Sequence, residues 1–321
     1  MKMKPLVRTV ATSQLFGPLV ALVAACVFFS TQSDRFLMGQ NFSLILQQVL
    51  VVGILAIGQT LIVLTAGIDL SVGMIMSLSS MVMTKFAVEL GVDPLLAIVC
   101  GVAVAGAFGA LNGVLITRVK IPAFIVTLGT LNIAFAVNQI YTRSETVSNL
   151  PPAITFLGET FKVAGTTITY GTIFLLLLYF LAWFFLSQTA PGRHIYAVGN
   201  DPEAARLTGI STERVLMGVY TLAGVLYGLA GLVLVARTGV GDPQAGQTEN
   251  LDSITAVVLG GTSLFGGRGL IVGTLIGAVI VGVFRNGLIL MGVSSVYQVL
   301  ITGILVILAV AADQLTRRMK K

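Results

Sequence analysis

Charged side chains are scarce in this sequence. They make up 10% of the 321 residues, whereas hydrophobic residues make up 56%. A soluble domain carries about 25% charged residues, because water must solvate its surface. The composition therefore excludes an ordinary soluble domain and predicts a membrane protein.

Residues that carry metal, redox or acid–base chemistry are also few. The two cysteines, Cys26 and Cys100, lie in apolar runs and fit neither a CxxC motif nor metal-ligand spacing. The single histidine, His194, has no serine, cysteine or carboxylate at a spacing typical of catalysis. The sequence contains no GxxxxGK[ST] loop to cradle ATP phosphates. We therefore predict no catalytic residues, no metal site and no cofactor bound by this chain.

Long apolar runs occupy most of the chain. A hydrocarbon core about 30 Å thick takes about 20 helical residues to cross. The runs are unbroken rather than alternating, which argues against the strands of a β-barrel. We count ten, of which the eighth is short and its continuity open: 13–31, 43–65, 73–90, 95–117, 123–141, 168–187, 214–236, 253–265, 270–290 and 296–312.

The predicted fold is an all-α polytopic membrane protein with about ten transmembrane helices in one transmembrane domain, residues 1–321. Its halves are about 1–165 and 166–321, and five helices per half would make them inverted if they are repeats. "LTAGIDL" and "LGGTSLF" look alike but are not at equivalent positions, so the sequence leaves the repeat open. Small residues four apart, such as Gly101, Ala105 and Gly109, suit close helix crossings.

Basic residues are distributed unevenly between the predicted loops. If the amino terminus is cytoplasmic, most of the 19 lysines and arginines fall on the cytoplasmic side, as the positive-inside rule requires. We therefore predict that both termini are cytoplasmic, and the net charge of +6 needs no nucleic-acid partner. The residues on that side are Lys2, Lys4, Arg8, Arg118, Lys120, Arg193, Arg206, Arg214, Arg268, Arg317, Arg318, Lys320 and Lys321.

A polar segment, "GRHIYAVGNDPEAARLTGI" at 192–210, lies in the predicted cytoplasmic loop 188–213. Asp201 is a good N-cap, and Pro202 fits the first helical position. Glu203 complements the positive end of a helix, and Gly209 suits the left-handed position that follows one. These signals predict a helix of about two turns.

This helix offers a small apolar face. Ala204 and Leu207 are three residues apart, and Glu203 and Arg206 flank them. A simple connection between two spans needs neither caps nor such a face. The helix could rest on its own membrane domain, but docking to a cytoplasmic partner fits its features better, with His194 as an interface residue.

Several polar residues lie in or beside the apolar runs and are candidates for a solute pathway. Polar groups at membrane depth are costly and suggest function, although capping and helix–helix hydrogen bonds are commoner uses. Asp69, the only acid that we expect near the interior of the spans, could simply cap the third helix. The glycines of "GGTSLFGGRG" permit a broken helix beside a pathway, or tight packing. The pathway candidates are Asp69, Ser71, Gln59, Asn132, Arg285 and Asn286.

Two arginines, Arg143 and Arg237, are predicted on the outer face. An acidic patch on a soluble partner could pair with them. The alternative is that they are solvated loop charges.

The sequence resembles the membrane permeases of bacterial monosaccharide ABC importers of the ribose, galactose, xylose and fructose type. The resemblance rests on "LTAGIDLSVG" at 64–73, the segment 192–210, "AVVLGGTSLFGGRG" at 256–269 and "GVSSVYQ" at 292–298. It runs from about Phe36 to the carboxyl terminus. Within 192–210, "EAA" (Glu203, Ala204, Ala205) followed by Gly209 is similar to the EAA loop, whose short helix sits in a cleft of the ATPase subunit.

The resemblance implies a transport subunit of the bacterial inner membrane and not an enzyme. ATP and Mg²⁺ would be bound by a partner ATPase. A soluble sugar-binding protein would deliver the sugar, and a second copy of the permease would complete a homodimer in membrane lipid. The ATPase-coupling residues would be Asp201, Pro202, Glu203, Ala204, Ala205, Arg206, Leu207 and Gly209.

Two other classes of function compete with this one. A secondary transporter driven by an ion gradient usually keeps several buried carboxylates or histidines, and we expect one such acid here. An intramembrane enzyme would need convergent nucleophile, base or metal ligands, which the sequence does not offer. The sugar itself is not identified by the sequence, because another polypeptide selects it first.

Overall fold

The computed structural model describes residues 15–163 and 166–319. Five basic residues behind the predicted orientation, Lys2, Lys4, Arg8, Lys320 and Lys321, lie outside the described residues. The helices are α1 (Phe16–Gln32), α2 (Gly39–Leu64), α3 (Val72–Val88), α4 (Pro94–Thr117), α5 (Ala123–Thr142), α6 (Pro152–Thr155), α7 (Tyr170–Gln188), α8 (Ala190–Asn200), α9 (Pro202–Leu207), α10 (Thr212–Thr238), α11 (Glu249–Leu259), α12 (Ile271–Leu290) and α13 (Ser295–Met319). The strands are β1 (Thr160–Val163) and β2 (Thr166–Thr169).

Apolar helices dominate the structure. Six helices, α2, α4, α5, α7, α10 and α12, are long and apolar enough to cross a membrane. Shorter apolar helices are α1, α3 and the first part of α13. The predicted helical membrane fold is confirmed, with one addition: β1 and β2 form a small antiparallel hairpin.

The eighth apolar run is interrupted. Helix α11 has 11 residues, a length of roughly 16 Å, which is about half of the hydrocarbon thickness. The chain then continues without helix from Gly260 to Leu270. Four glycines here, Gly261, Gly266, Gly267 and Gly269, have positive φ angles. The predicted run 253–265 is therefore a half-length helix followed by a turn-rich segment.

Helices α2 and α10 form the centre of the molecule. Helix α10 packs along α4 and α2, and α2 also packs on α12. Small residues permit the closest crossing, because a Cβ on Gly109 would lie 3.0 Å from the Cα of Gly224 and 2.3 Å from the carbonyl oxygen of Tyr220. The predicted packing role of the small residues in α4 is confirmed at this crossing.

The same packing arrangement occurs twice. Helix α3 packs on α4 and α5, and α11 packs on α12 and α13. Helix α2 contacts α11 and α12 of the second half, while α10 contacts α3 and α4 of the first. The contacts among α2 to α5 are therefore similar to those among α10 to α13.

Candidate coupling helix and transport pathway

The predicted cytoplasmic helix is present as α9. The Asp201 carboxylate accepts hydrogen bonds from the backbone N–H groups of Glu203 and Ala204, both at 3.0 Å. At the other end, the N–H of Ile210 donates to the carbonyl of Ala205 at 3.1 Å, and Gly209 has a φ of 90°. This is the Schellman arrangement, in which a left-handed residue closes the helix. The predicted caps are confirmed.

One face of α9 is directed away from the protein. Leu207 is 75% exposed, and Glu203, Ala204 and Arg206 are also exposed. Arg206 donates to both carboxylate oxygens of Glu203, at 2.6 and 3.2 Å. These hydrogen bonds and the charge of Arg206 lower the pKa of Glu203. Helix α9 therefore presents a fixed pair of charges beside an apolar side chain.

Ala205 does not belong to this face. It is 5% exposed and faces the body of the protein. Ala205 therefore packs against the protein, because in a helix the residues next to an outward one point elsewhere. Its role in coupling stays a prediction.

Helix α8, which was not predicted from the sequence, attaches α9 to the membrane helices. Its last turn lies against the end of α2 so closely that a Cβ on Gly199 would be 1.7 Å from the carbonyl oxygen of Leu64. The same Cβ would be 2.7 Å from the backbone nitrogen of Gly267, whose N–H donates to Leu64 at 2.9 Å. Only glycine fits at position 199 in this arrangement.

The segments that meet here define a junction: Leu64–Ala66, Gly199–Asn200 and Gly266–Gly269. The hydroxyl of Tyr196 on α8 strengthens it by donating to the carbonyl oxygen of Gly269 at 3.0 Å. The motifs at 64–73, 192–210 and 256–269 therefore meet at this junction, although more than 60 positions separate the contacting segments along the chain. A displacement of α9 would reach the end of α2 and the segment after α11 directly.

Asp69 lies in the connection between α2 and α3. Its carboxylate accepts from the backbone N–H of Ser71 at 2.7 Å and from the Ser71 hydroxyl at 2.5 Å. The Tyr227 hydroxyl of α10 donates to its other oxygen at 3.3 Å, and Asn112 donates to Ser71 at 3.1 Å. Asp69 therefore forms an Asx turn that ties α3, α4 and α10 together. It is 1% exposed and does not line an open pathway in this chain.

The two amide candidates on α2 and α5 have opposite environments. Gln59 is fully buried, and neither polar atom of its amide has a hydrogen-bond partner among the described residues. Asn132 is exposed and donates to the carbonyl oxygen of Leu128 within its own helix, at 3.0 Å. The structure does not bring these residues together.

Asn286 joins two helices. It exchanges two hydrogen bonds with Asn41, each at 2.9 Å, and is 2% exposed. Each amide oxygen and each amide nitrogen named here has a partner in this pair, which supports a structural use of Asn286. A pathway role for it stays a prediction. Hydrogen bonding between helices is the commoner use of such residues.

Arg285 does face open space. Helices α11, α12 and α13 surround a cavity of about 250 Å³. Arg285, whose side chain is exposed, lies in its wall 3.7 Å from the carboxylate of the buried Asp252. This separation is too long for a hydrogen bond, so both groups can still bind the hydroxyl groups of a solute. Thr255, Gln298 and Thr302 add polar groups to the wall.

Asp252 was not predicted from the sequence. The apolar run 253–265 starts at the next position, so Asp252 lay outside the predicted span. Asp252 is 6% exposed, so the expectation that Asp69 is the only interior acid is wrong. Its position, next to the start of the short eighth apolar run, was the sequence feature that could have identified it.

Comparison with known proteins identifies the family. Residues 41–310 match the family described as branched-chain amino acid transport system / permease component. The chain belongs to this permease family. "Fructose import permease protein FrcC" of Rhizobium meliloti is 47% identical over 307 residues, 94% of this chain and 85% of the relative. "Ribose import permease protein RbsC" of Bacillus subtilis is 41% identical over 303 residues, 94% of this chain and 93% of the relative.

More distant relatives agree with these two. "Xylose transport system permease protein XylH" of Escherichia coli is 32% identical over 364 aligned positions, 95% of this chain and 93% of the relative. No solved structure matches the chain. The resemblance to monosaccharide ABC permeases is confirmed, and the chain is a multi-pass permease of the inner membrane.

The two arginines predicted on the outer face of the permease differ in exposure. Arg143 is exposed at the end of α5, in a left-handed conformation with a φ of 55°. Arg237 is only partly exposed and donates to the carbonyl oxygen of Gln47 at 3.1 Å. Arg237 is therefore less exposed than predicted, because its guanidinium donates to the backbone of α2. Its role in docking stays a prediction.

Proposed function

We propose that this permease forms the membrane pathway through which a monosaccharide enters the cytoplasm. Relatives of the chain are named as import or transport permeases for fructose, ribose, D-allose and xylose. In this proposal a soluble binding protein delivers the sugar. A separate ATPase subunit binds ATP and Mg²⁺ and hydrolyses the ATP.

The observation that carries the proposal is helix α9, which is exposed, capped at both ends and attached through α8 to the membrane helices. Six residues do not make a stable helix alone, so the caps and α8 fix its position. An ATPase that binds Glu203, Arg206 and Leu207 would transmit its movement to the junction through Gly199. The ends of α2 and of the interrupted eighth span would then move together.

We propose ten crossings with both termini in the cytoplasm. The junction supports this arrangement, because it joins three segments that such a topology assigns to the cytoplasmic side. At the opposite end, Val147 and Gly241 exchange backbone hydrogen bonds at 2.9 and 2.8 Å. The Asn41–Asn286 pair joins two further segments that belong to the outer side.

We also propose that the halves are inverted repeats and that two copies form the transporter. The paired packing of α2 to α5 and of α10 to α13 supports the repeat. The break in the eighth span is also typical of inverted-repeat transporters, which bind solutes at interrupted helices. The second copy would complete a pathway that one chain only half encloses.

In this proposal the Asp252–Arg285 cavity receives the sugar at the outer end of the pathway. A sugar offers adjacent hydroxyl groups, which a carboxylate and a guanidinium can bind together. Arg143 is the more exposed candidate for contact with the binding protein, and such a rim charge would mainly affect the association rate.

Uptake by reconstituted vesicles tests the proposed function. The permease and its ATPase are placed in proteoliposomes with ATP inside, and labelled fructose or ribose is supplied outside with a binding protein. We expect uptake that requires ATP, an active ATPase and the binding protein, and native mass spectrometry should show two permease copies. Uptake driven by an ion gradient without ATP or ATPase would contradict the proposal.

A further inference from the structure

A second cavity lies on the side of the permease, away from the Asp252–Arg285 cavity. Its volume is about 310 Å³, and it lies between the end of α7, the start of α8 and the first turns of α10. Its walls include the apolar side chains of Phe185, Val219 and Leu222. Two basic residues, His194 and Arg214, also line it. We call it the α7–α10 groove.

The groove lies where the membrane helices meet the polar segment. Helix α7 ends at Gln188 and α10 begins at Thr212, with α8 and α9 between them. Arg214 and Leu222 are eight residues apart on α10, about 12 Å along its axis. The groove thus runs from a basic mouth at the membrane boundary towards the apolar interior of the bilayer.

The two basic side chains at the mouth of the groove are accessible to a ligand. Arg214 is exposed and His194 is partly exposed. Within residues 15–163 and 166–319, neither side chain has an ion-pair or hydrogen-bond partner. A guanidinium in this position can bind a phosphate with two parallel hydrogen bonds.

The apolar wall faces the lipid side of the molecule. Leu181 and Phe184, which precede Phe185 on α7, are 49% and 50% exposed. Leu222 is itself partly exposed. Gly218 opens the groove further, because a Cβ added there would have no atom within 4 Å. The groove is therefore open and has the apolar lining of a lipid chain site.

We propose that the α7–α10 groove binds one anionic phospholipid. The phosphate pairs with Arg214, with His194 beside it, and an acyl chain lies against Val219 and Leu222. Basic pockets between transmembrane helices at the cytoplasmic boundary bind acidic headgroups on the same physical grounds. The proposal depends on the position of the chain in a membrane and not on the sugar that it transports.

The location gives the lipid a consequence for coupling. His194 and Ile195 of the groove lie on α8, the helix whose other end carries Gly199 and leads into α9. A lipid in the groove would fix α8 against α7 and α10, and so would hold α9 in position for its partner.

Native mass spectrometry of the purified full-length permease tests the proposal. Delipidated protein is titrated with phosphatidylglycerol or with phosphatidylcholine. We expect one tightly retained phosphatidylglycerol per chain, and Arg214→Gln should raise the concentration for half occupancy about tenfold, as expected for a lost charged hydrogen-bond pair. Arg214→Lys should restore part of the binding, since it keeps the charge.

Two further variants separate the groove from general surface charge. Gly218→Leu fills the groove and should also displace the lipid. Arg118→Gln removes an exposed basic residue on the same predicted side, at the end of α4, and should leave binding unchanged. Size-exclusion profiles and melting temperatures check that each variant is folded.

Several outcomes would overturn the proposal. Equal retention of phosphatidylcholine, or an equal loss in Arg118→Gln, would show that no specific anionic site exists. Displacement of the lipid by inorganic phosphate alone would assign the mouth to a free anion. If the wild type retains no lipid and Gly218→Leu breaks a dimer instead, the groove is an interface between two copies.

Discussion

At the scale of single residues, Asp252 and Arg285 provide the sharpest test of the pathway. They face one cavity at a distance that leaves both groups free to bind hydroxyl groups. We expect Asp252→Asn and Arg285→Gln each to lower sugar uptake about tenfold, as expected for the loss of a hydrogen bond to a charged group. Initial uptake rates at matched permease abundance measure this effect.

A matched control distinguishes a pathway role from a general effect of charge. Glu145→Gln neutralises an exposed acid on the same predicted outer side and should leave uptake unchanged. If the variants at 252 and 285 transport as fast as this control, the cavity is not part of the pathway.

Residue roles were the least predictable part of the site. The sequence showed that Arg285 and Asn286 are adjacent polar residues in a span, but not which neighbour each would meet. Asn286 points to Asn41, 245 positions away, whereas Arg285 points into the cavity. Such pairings depend on helix rotation, which a nearly uniform apolar sequence does not reveal.

At the scale of helices, local signals were sufficient where the helix ends carry distinct residue types. Asp201, Pro202 and Gly209 defined α9 correctly, because caps act over three or four residues. Helix α8 buries a short face that includes Ile195 and Val198, but its glycines and its proline made the sequence resemble a loop. The end of α11 was missed because the apolar run continues after the helix stops.

The contact between α8 and α2 gives a prediction at this scale. Gly199→Ala would place a methyl group against the backbone of Leu64 and Gly267, where neither neighbour can rotate away. Overpacking of this kind typically costs about 1–3 kcal/mol. We expect a lower melting temperature in detergent and a weaker stimulation of ATP hydrolysis by the loaded binding protein.

Gly129→Ala on α5 serves as the control for this prediction. The added methyl group meets no atom within 4 Å, so stability and stimulation should be close to those of the wild type. Equal behaviour of the two alanine variants would mean that the junction is not tightly packed in the working transporter.

At the scale of the whole molecule, the low charge content predicted a membrane protein, and the length of the unbroken apolar runs predicted that it is helical. The sequence did not reveal that α2 to α5 and α10 to α13 make similar contacts. That relationship lies in which helices touch, and related packing does not require related residues. It becomes visible only when α3 with its neighbours is compared with α11 and its neighbours.

Two distant sites, the Asp252–Arg285 cavity and helix α9, are connected in the proposed transporter. An outer cavity between α11 and α13 would receive the sugar, and α9 would receive force from the ATPase. Helix α11 and the segment that follows it connect the two, since that segment ends in the junction with α8. Coupling in this account requires that α9 transmit force rather than merely connect two spans.

ATP hydrolysis by reconstituted complexes carrying altered α9 helices tests that claim most directly. Glu203→Lys reverses the charge at the helix start and breaks the pair with Arg206. Gly209→Val disfavours the left-handed turn that ends the helix, since a β-branched residue rarely adopts a positive φ. Neither residue contacts the Asp252–Arg285 cavity. At matched permease abundance, both variants should insert in the membrane and bind the loaded binding protein but lose most of the sugar-stimulated ATPase activity and uptake. Full stimulation and full uptake in both variants would show that α9 is a surface connector and would contradict the account.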